Sequence, residues 1–407
     1  DGESRLRGLL PAGDPRSTAE ILRRLGVEVP PLPKDGSDVR IRGAGLRGLR
    51  EPDRVLDAGN SGTTARILLG VLAGQELEAV LDGDESLRRR PMARVTGPLA
   101  GMGARFEPLG PEGRLPLRIR GGDLGPLEYD LPVASAQVKS ALLLAGLTGG
   151  APVRLTEPGR SRDHTERMLA AAGVSLSLAE SPGGGRAVEL ARIPGRIEPL
   201  DFQVPGDFSA AAYPLALALL GGAGSELTLR GVGLNPTRTG LLPVLERMGA
   251  DVEVRVESGS QECEPIGEIR VRPSALRGTE VGSDEIPVLL DEVPILAILM
   301  ARASGPSRIT GAGEMRVKES DRLSALAGNL RAVGATVEEL EDGLAIRGSE
   351  ARLEGVGESR GDHRIAMAFG VLGASPGCRI EIEGRQVVEV SYPGFWAMLA
   401  SLGESGG

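Results

Sequence analysis

The sequence predicts an α/β protein of two similar halves, each of three repeats, and two interleaved series of helix-to-strand junctions carry that prediction. In the first series an apolar helical run stops at a glycine and turns at once into a strand. It occurs at Ile21–Val29, Leu99–Glu107, Met168–Leu178, Leu242–Val254, Leu326–Leu340 and Phe395–Ser405. The glycines Gly26, Gly103, Gly173, Gly249, Gly334 and Gly403 follow at steps of 77, 70, 76, 85 and 69 residues. A glycine at such a point takes φ > 0 and lets the chain reverse into a sheet. In the second series longer apolar helices end in small residues at Gly74, Gly150, Gly222, Gly305 and Gly377. A short alternating strand comes after each: LEAVLDG, PVRLTE, ELTLRG, SRITG and RIEIEG.

The opening DGESRLRG reads as one more such exit and strand, with Gly2 lying 72 residues before Gly74. The register therefore expects a further helix and its leading strand ahead of residue 1. Residues 1–203 form the first three-repeat domain and 204–407 the second. The segment 197–207, IEPLDFQVPGD, is expected to be an extended hinge because of its prolines. SPGGGRA at 181–187 and ESGSQECEPIGE at 257–268 read as hairpin tips, and the last residues as a frayed tail. Ligands of such proteins favour clefts between repeated halves.

Composition narrows the function. A chain of 407 residues has room for two cores, and its nine aromatics leave those cores to Leu, Val, Ile and Ala. A net charge of −9 argues against a nucleic-acid binder, which usually carries a basic face. Asp291, Glu292 and Arg302 interrupt the most apolar run, so no membrane span is expected. Two cysteines, Cys263 and Cys378, fit a reduced, cytoplasmic setting. Two histidines and no CxxC give no support to a metal site. Neither a P-loop nor a dinucleotide-binding glycine pattern is present. No GxSxG elbow supports a serine nucleophile.

The second-series helices share polar starts at Asn60-Ser61-Gly62-Thr63, Ser135-Ala136-Gln137, Asp207-Phe208-Ser209, Asp291-Glu292 and Asp362-His363-Arg364. Ordinary capping explains Ser, Asp and Asn at such positions. It does not explain Gln137 with Lys139, or His363 with Arg364. Several helix N-termini gathered in one protein also suit a multiply charged anion. Arg66, Arg88–Arg90, Arg162, Lys318, Arg322 and Arg364 lie beside glycines or polar turn residues rather than in a stripe. The RRR run alone reads as a solvated face. In RVKESDR, Lys318 and Arg322 are i,i+4 and expected on one helix face with Glu319 beside them, either as a site or as a surface ion-pair pattern.

Nine segments taken together resemble the 5-enolpyruvylshikimate-3-phosphate synthase family along essentially the whole chain. They are DAGNSGTTARILLG, GDESLRRRPM, PVASAQVKSALLLAGL, SRDHTERML, VPGDFSAAAYPLA, NPTRTGLLPVLERMGAD, LDEVPILA, RVKESDRL and GDHRIAMAF. The resemblance implies an enolpyruvyl transferase fold, an inverse α/β barrel of two domains with three βαβαββ-type repeats each, closing on ligand at the hinge. It implies transfer of the enolpyruvyl group of phosphoenolpyruvate to the 5-hydroxyl of shikimate 3-phosphate, with release of phosphate. Both partners are small molecules, no cofactor or metal is implied, and a monomer is expected.

Carried over by motif, the resemblance assigns Ser135, Ala136, Gln137, Arg162, Asp291 and Lys318 to shikimate 3-phosphate. It assigns Gly62, Arg90, Gln137, Arg322 and Arg364 to phosphoenolpyruvate. Asp291 takes the hydroxyl proton, Glu319 protonates the methylene carbon and Lys318 relays protons. Glyphosate sensitivity is expected because Gly62 leaves room beside Asn60. Val390 stands where one branch of the family has a lysine. A GDKSxSxR segment is expected ahead of residue 1, and the chain without it is expected to be nearly inactive. Two rivals remain: the sister transferase that acts on a UDP-sugar (UDP-N-acetylglucosamine enolpyruvyl transferase), and a catalytically impaired anion-binding remnant. The first typically carries a reactive cysteine in the first domain, whereas no cysteine precedes Cys263 here.

Overall fold

A helix that is apolar on every side can only be core, and such helices set the architecture. A computed structural model of the chain describes residues 2–10, 12–181, 184–257 and 263–404. It falls into two units, Asp1–Val204 and Pro205–Gly407.

The first unit opens with β1 (Gly2–Arg7), α1 (Gly13–Arg24) and β2 (Val39–Gly43). Its second repeat holds β3 (Leu56–Asp57), α2 (Gly62–Ala73), β4 (Glu78–Asp82), α3 (Glu85–Arg89), α4 (Ala93–Met102), β5 (Arg105–Pro108) and β6 (Leu117–Arg120). The third holds β7 (Leu127–Asp130), α5 (Ala136–Gly149), β8 (Val153–Glu157), α6 (His164–Ala171), β9 (Ser177–Ser181) and β10 (Gly185–Leu190). Then β11 (Asp201–Gln203) returns to pair with β1. The second unit starts with α7 (Phe208–Leu219), β12 (Leu227–Gly233), α8 (Leu241–Arg247), β13 (Asp251–Val256) and β14 (Ile266–Arg272). Its middle repeat holds β15 (Glu280–Val281), α9 (Ile286–Leu289), α10 (Val293–Arg302), β16 (Gly305–Ile309), α11 (Arg322–Ala332), β17 (Thr336–Glu339) and β18 (Leu344–Gly348). The last holds β19 (Leu353–Glu358), α12 (His363–Ala374), β20 (Cys378–Glu383) and α13 (Phe395–Glu404).

The repeat is visible in strand order. Sheets β3-β4-β6-β5, β7-β8-β10-β9 and β15-β16-β18-β17 have one topology, a parallel pair followed by an antiparallel hairpin. Sheet β11-β1-β2 is the same with its fourth strand reduced to the bridge Glu28↔Arg42. Pro30, Pro31 and Pro33 follow that bridge, and prolines cannot donate to a ladder. In β12-β14-β13 the parallel partner is the single bridge Gly206↔Val232, and among the described residues of the last repeat only the parallel pair β19-β20 forms. The strands alternate, with Ala79 and Leu81 of β4 and Ile269 and Val271 of β14 turned inward. Helices fill each unit from inside, as the resemblance implies.

Gly26, Gly103, Gly173, Gly249 and Gly334 all have positive φ, between 80° and 118°. The sixth junction fails. α13 runs through Gly403 to Glu404, because glycine weakens a helix by only about 1 kcal/mol and the helix is anchored by buried Phe395 and Leu399. In the second series Gly74 and Gly150 cap their helices directly, whereas α7, α10 and α12 stop short of Gly222, Gly305 and Gly377. The two expected hairpins are the antiparallel pairs β9-β10 and β13-β14, with 182–183 and 258–262 of their tips outside the described residues. Residues 405–407 of the expected tail also lie outside them. No helix among the described residues is long and apolar enough to cross a membrane.

In the first unit α2 and α5 pack backbone to backbone. A Cβ at Gly70 would lie 2.0 Å from the Ala141 carbonyl oxygen. In the second unit Val293–Ala301 of α10 is buried throughout, and Phe395 meets Tyr213, Tyr392 and Trp396 edge-on at 5.8, 5.5 and 5.0 Å. Gly70→Ala should lower stability by about 1–3 kcal/mol, since backbone must move. Gly101→Ala in α4, whose Cβ would meet nothing within 4 Å, should instead gain up to about 1 kcal/mol of helix propensity. Chemical denaturation of both variants checks this, and equal shifts would refute the close α2–α5 contact.

Candidate functional site

In the first unit the polar start of α2 is held by its own turn. Ser61 accepts from Thr64 N–H, and Asn60 Nδ2 donates to Asp84 Oδ2 at 2.6 Å. Asn60 Oδ1 in turn accepts from Arg90 Nη2 at 2.8 Å, which aims that guanidinium across the helix N-terminus. Arg88 and Arg89 pair instead with exposed or half-buried carboxylates, Asp82 and Glu85, so only the last arginine of the RRR run turns into the site. A Cβ at Gly62 would lie 3.1 Å from Arg66 Nη1 and 3.3 Å from Arg90 Nη1. Arg66 Nη1 donates to Gln137 Oε1 at 2.8 Å, while Gln137 Nε2 donates to Thr63 Oγ1 at 2.8 Å. Gly62, Arg90 and Gln137 are thus one contiguous group, joined through Arg66.

Ser135 and Ala136 begin α5 beside Gln137. Ser135 occupies the N-cap position, yet its side chain makes no capping bond, unlike Ser61, Asp207 and Asp362. Arg162 stands on the loop between β8 and α6, tied to α5 by the Ser140 Oγ–Thr165 Oγ1 contact of 2.6 Å. Lys139, singled out with Gln137 in the sequence, does not face the site: it is fully buried between Glu157 and Glu166.

The second unit gathers more charge. Asp291, at the start of α10, faces three guanidinium groups. Its Oδ1 lies 3.6 Å from Arg322 Nη1, and its Oδ2 3.5 Å from Arg238 Nη1 and 3.6 Å from Arg364 Nη2. Arg364 Nη1 also donates to the Asp291 carbonyl at 3.0 Å. Arg322 is only 1 % exposed; its Nε donates to Asp362 at 2.7 Å and its Nη2 to Glu319 at 2.6 Å. Arg238 Nη2 reaches Asp207 at 2.7 Å and Ser209 Oγ at 2.6 Å.

Lys318 and Arg322 do not share a helix face. A 3-10 turn, Gly313–Val317, ends at extended Lys318, and α11 starts only at Arg322, where Asp321 caps it by accepting from Ser324 N–H. The break places Glu319 back onto Arg322 as an i,i+3 ion pair and leaves Lys318 on the turn between the two helical segments.

Burial pushes the proton affinity of Lys318 down, against the opposing charge of Asp291. Burial and then the adjacent Arg364 hold His363 at about 4, so its imidazole is neutral near pH 7. Burial raises the Asp362 carboxyl, but Arg322 more than reverses this and keeps it below the usual range. Burial raises Glu292, with Arg238 opposing and Asp291 adding to the rise. The arrangement can hold anionic groups against fixed guanidinium forks while offering a carboxylate and an amine for proton transfer. Among the described residues no group of His, Cys, Asp and Glu could hold a metal ion.

Sequence reasoning missed Arg238 and read Asp362 only as a helix start. Arg238 carried much the same mark as Arg364, a single arginine following polar turn residues where an apolar helix is about to run. Asp362 carried none, since its partner Arg322 lies 40 residues away.

The chain is similar to known proteins along nearly its whole length. Residues 1–399 match the family model of EPSP synthase (3-phosphoshikimate 1-carboxyvinyltransferase). The chain is 50% identical over 403 residues to the 3-phosphoshikimate 1-carboxyvinyltransferase of Pelotomaculum thermopropionicum, covering 98% of this chain and 91% of the relative. It is 51% identical over 403 residues to that of Thermus thermophilus, covering 99% and 91%. The solved EPSP synthase of Acinetobacter baumannii superposes with a TM-score of 0.85 at 38% identity, over 100% of this chain and 90% of that one. The enolpyruvyl transferase NikO of Streptomyces tendae, at 18% identity and a TM-score of 0.74 over 99% and 89%, shares the enolpyruvyl transferase fold. With nine motifs in order, six recurring sheets and full-length likeness, the chain belongs to the EPSP synthase (3-phosphoshikimate 1-carboxyvinyltransferase) family.

Proposed function

We propose that this protein transfers the enolpyruvyl group of phosphoenolpyruvate to the 5-hydroxyl of shikimate 3-phosphate, releasing phosphate. The observation that carries the reading is the Asp291 carboxylate ringed by Arg238, Arg322 and Arg364, with Lys318 and Glu319 on the neighbouring turn. An acceptor of protons embedded in fixed positive charge suits substrates that bring phosphates and carboxylates.

In this reading Ser135, Ala136, Gln137 and Arg162 of the first unit hold shikimate 3-phosphate, and Gly62, Arg90 and Gln137 hold phosphoenolpyruvate. In the second unit Arg322 and Arg364 bind the phosphoenolpyruvate anion, while Asp291 and Lys318 meet the 5-hydroxyl. Asp291 takes the hydroxyl proton as the oxygen bonds to the central carbon of the enol. Glu319 delivers a proton to the methylene carbon in the same stage, relayed with Lys318. The methyl group so formed then returns a proton to Glu319 as the carbon–oxygen bond to phosphate breaks, which restores the double bond and frees phosphate. Residues 1–203 and 204–407 are the two domains of this proposal, with 197–207 as hinge. The enzyme works as a monomer in the cytoplasm, a setting that fits two cysteines in 407 residues.

Asp291→Asn and Glu319→Gln in the full-length protein should each cut turnover by about 10²-fold or more, while substrate binding weakens less. Phosphate release from the two substrates measures this, and parental turnover in Glu319→Gln would reduce Glu319 to an ion-pair partner of Arg322. A second test uses Gly62→Ala, whose new methyl presses on Arg66 and Arg90. The KM for phosphoenolpyruvate and the glyphosate concentration for half inhibition should both rise, the latter by about tenfold or about 1.4 kcal/mol. Unchanged values for both would show that this contact does not set the fit.

A further inference from the structure

Lys139 is the one lysine among the described residues of the first unit whose charge is sealed away: its side chain is 0% exposed. Its Nζ lies 2.8 Å from Glu157 Oε1 and 2.7 Å from Glu166 Oε1, both carboxylates also buried. Those carboxylates stand at the two ends of one loop. Glu157 closes β8, Glu166 lies in the first turn of α6, and Arg162 sits between them. Ser161 donates to the other oxygen of Glu157 from inside the loop. The next residue of α5, Ser140, meets Thr165 at 2.6 Å. Asp163 is held from outside by Arg167 at 2.9 Å and Arg186 at 3.5 Å.

An isolated buried ion pair is weak evidence for stability, because desolvation offsets much of the attraction. This one has an excess carboxylate, and burial raises Glu166 with Lys139 opposing. An apolar trio would fill the space as well. What apolar side chains cannot do is fix both ends of a loop at one charged point, here by a hydrogen bond to Glu157 and an ion pair to Glu166. The chosen point is two residues along the helix from Gln137.

We propose that Lys139 is a positioning residue that clips both ends of the 158–163 loop to α5, setting Arg162 in fixed register with Ser135 and Gln137 to grip shikimate 3-phosphate. The clip itself rests on geometry alone; the role in substrate affinity rests on the function proposed above. Lys139 never touches substrate, so its loss acts through Arg162.

The test compares the full-length protein with Lys139→Met and with a charge-free variant, Lys139→Met/Glu157→Gln/Glu166→Gln. The charge-free variant leaves no unpaired buried charge and keeps an acceptor for Ser161, so it folds if the single variant does not. In limited trypsin digestion, cleavage after Arg160 and Arg162 should speed up by about tenfold or more relative to cleavage elsewhere. In turnover assays the KM for shikimate 3-phosphate should rise by about tenfold, with the KM for phosphoenolpyruvate within about twofold and kcat little changed. Protection of Arg160 and Arg162 equal to the parent's overturns the clip. Faster loop cleavage with an unchanged KM for shikimate 3-phosphate overturns the positioning role. A parent enzyme that transfers no enolpyruvyl group overturns the proposed function instead, and the digestion still decides the clip.

Discussion

Charge taken into an apolar helix core has to be neutralised where it lies, and in this protein the Arg322–Asp362 pair meets that demand. Arg322 is 1 % exposed and Asp362 is fully buried, so neither can turn to water for a partner. The pair joins the first residue of α11 to the cap of α12. From that fixed guanidinium the rest of the second unit's charge is arranged: Nη2 takes Glu319 and Nη1 faces Asp291. Asp362 does double duty, since it also accepts from Arg364 N–H at 2.9 Å and so sets the helix start that carries the second arginine. Arg364 and Arg238 complete the ring around Asp291.

The repeat explains why such charge collects where it does. Each apolar helix can bury its length only if its polar start is placed at one end of the unit, and three repeats bring several such starts within one unit. In the first unit the starts of α2 and α5 supply Asn60, Gly62 and Gln137, and in the second those of α10 and α12 supply Asp291, Asp362 and Arg364. The close α2–α5 approach through Gly70 is what lets Arg66 span from one start to the next and bond Gln137. Packing and site geometry are therefore the same constraint seen at two points of one helix pair.

Much of this was legible in the sequence, because periodicity reports faces and glycines report reversals. Five of six first-series glycines have the positive φ expected of them, and each of the five second-series strands forms. Gly403 misled because a glycine that reverses the chain looks the same in sequence as one tolerated inside an anchored helix. The RVKESDR segment misled because i,i+4 spacing implies one face only if the helix is continuous, and Asp321 caps a new helix in its middle. What the sequence hides is pairing at long range. Nothing local tells that Arg322 meets Asp362, that Arg238 reaches Asp291, or that Lys139 turns away from Gln137 into a carboxylate pair, since each choice is made by how repeats pack.

The central claim, that a buried guanidinium–carboxylate pair organises the second unit's site, is tested most directly by a double-mutant cycle on Arg322→Met and Asp362→Asn, read by equilibrium denaturation. Each single change strands a buried partner and should destabilise by about 3–5 kcal/mol. The double variant should lose clearly less than the sum, with a coupling energy of about 2 kcal/mol or more. Single losses that add to within about 0.5 kcal/mol in the double variant would contradict the account.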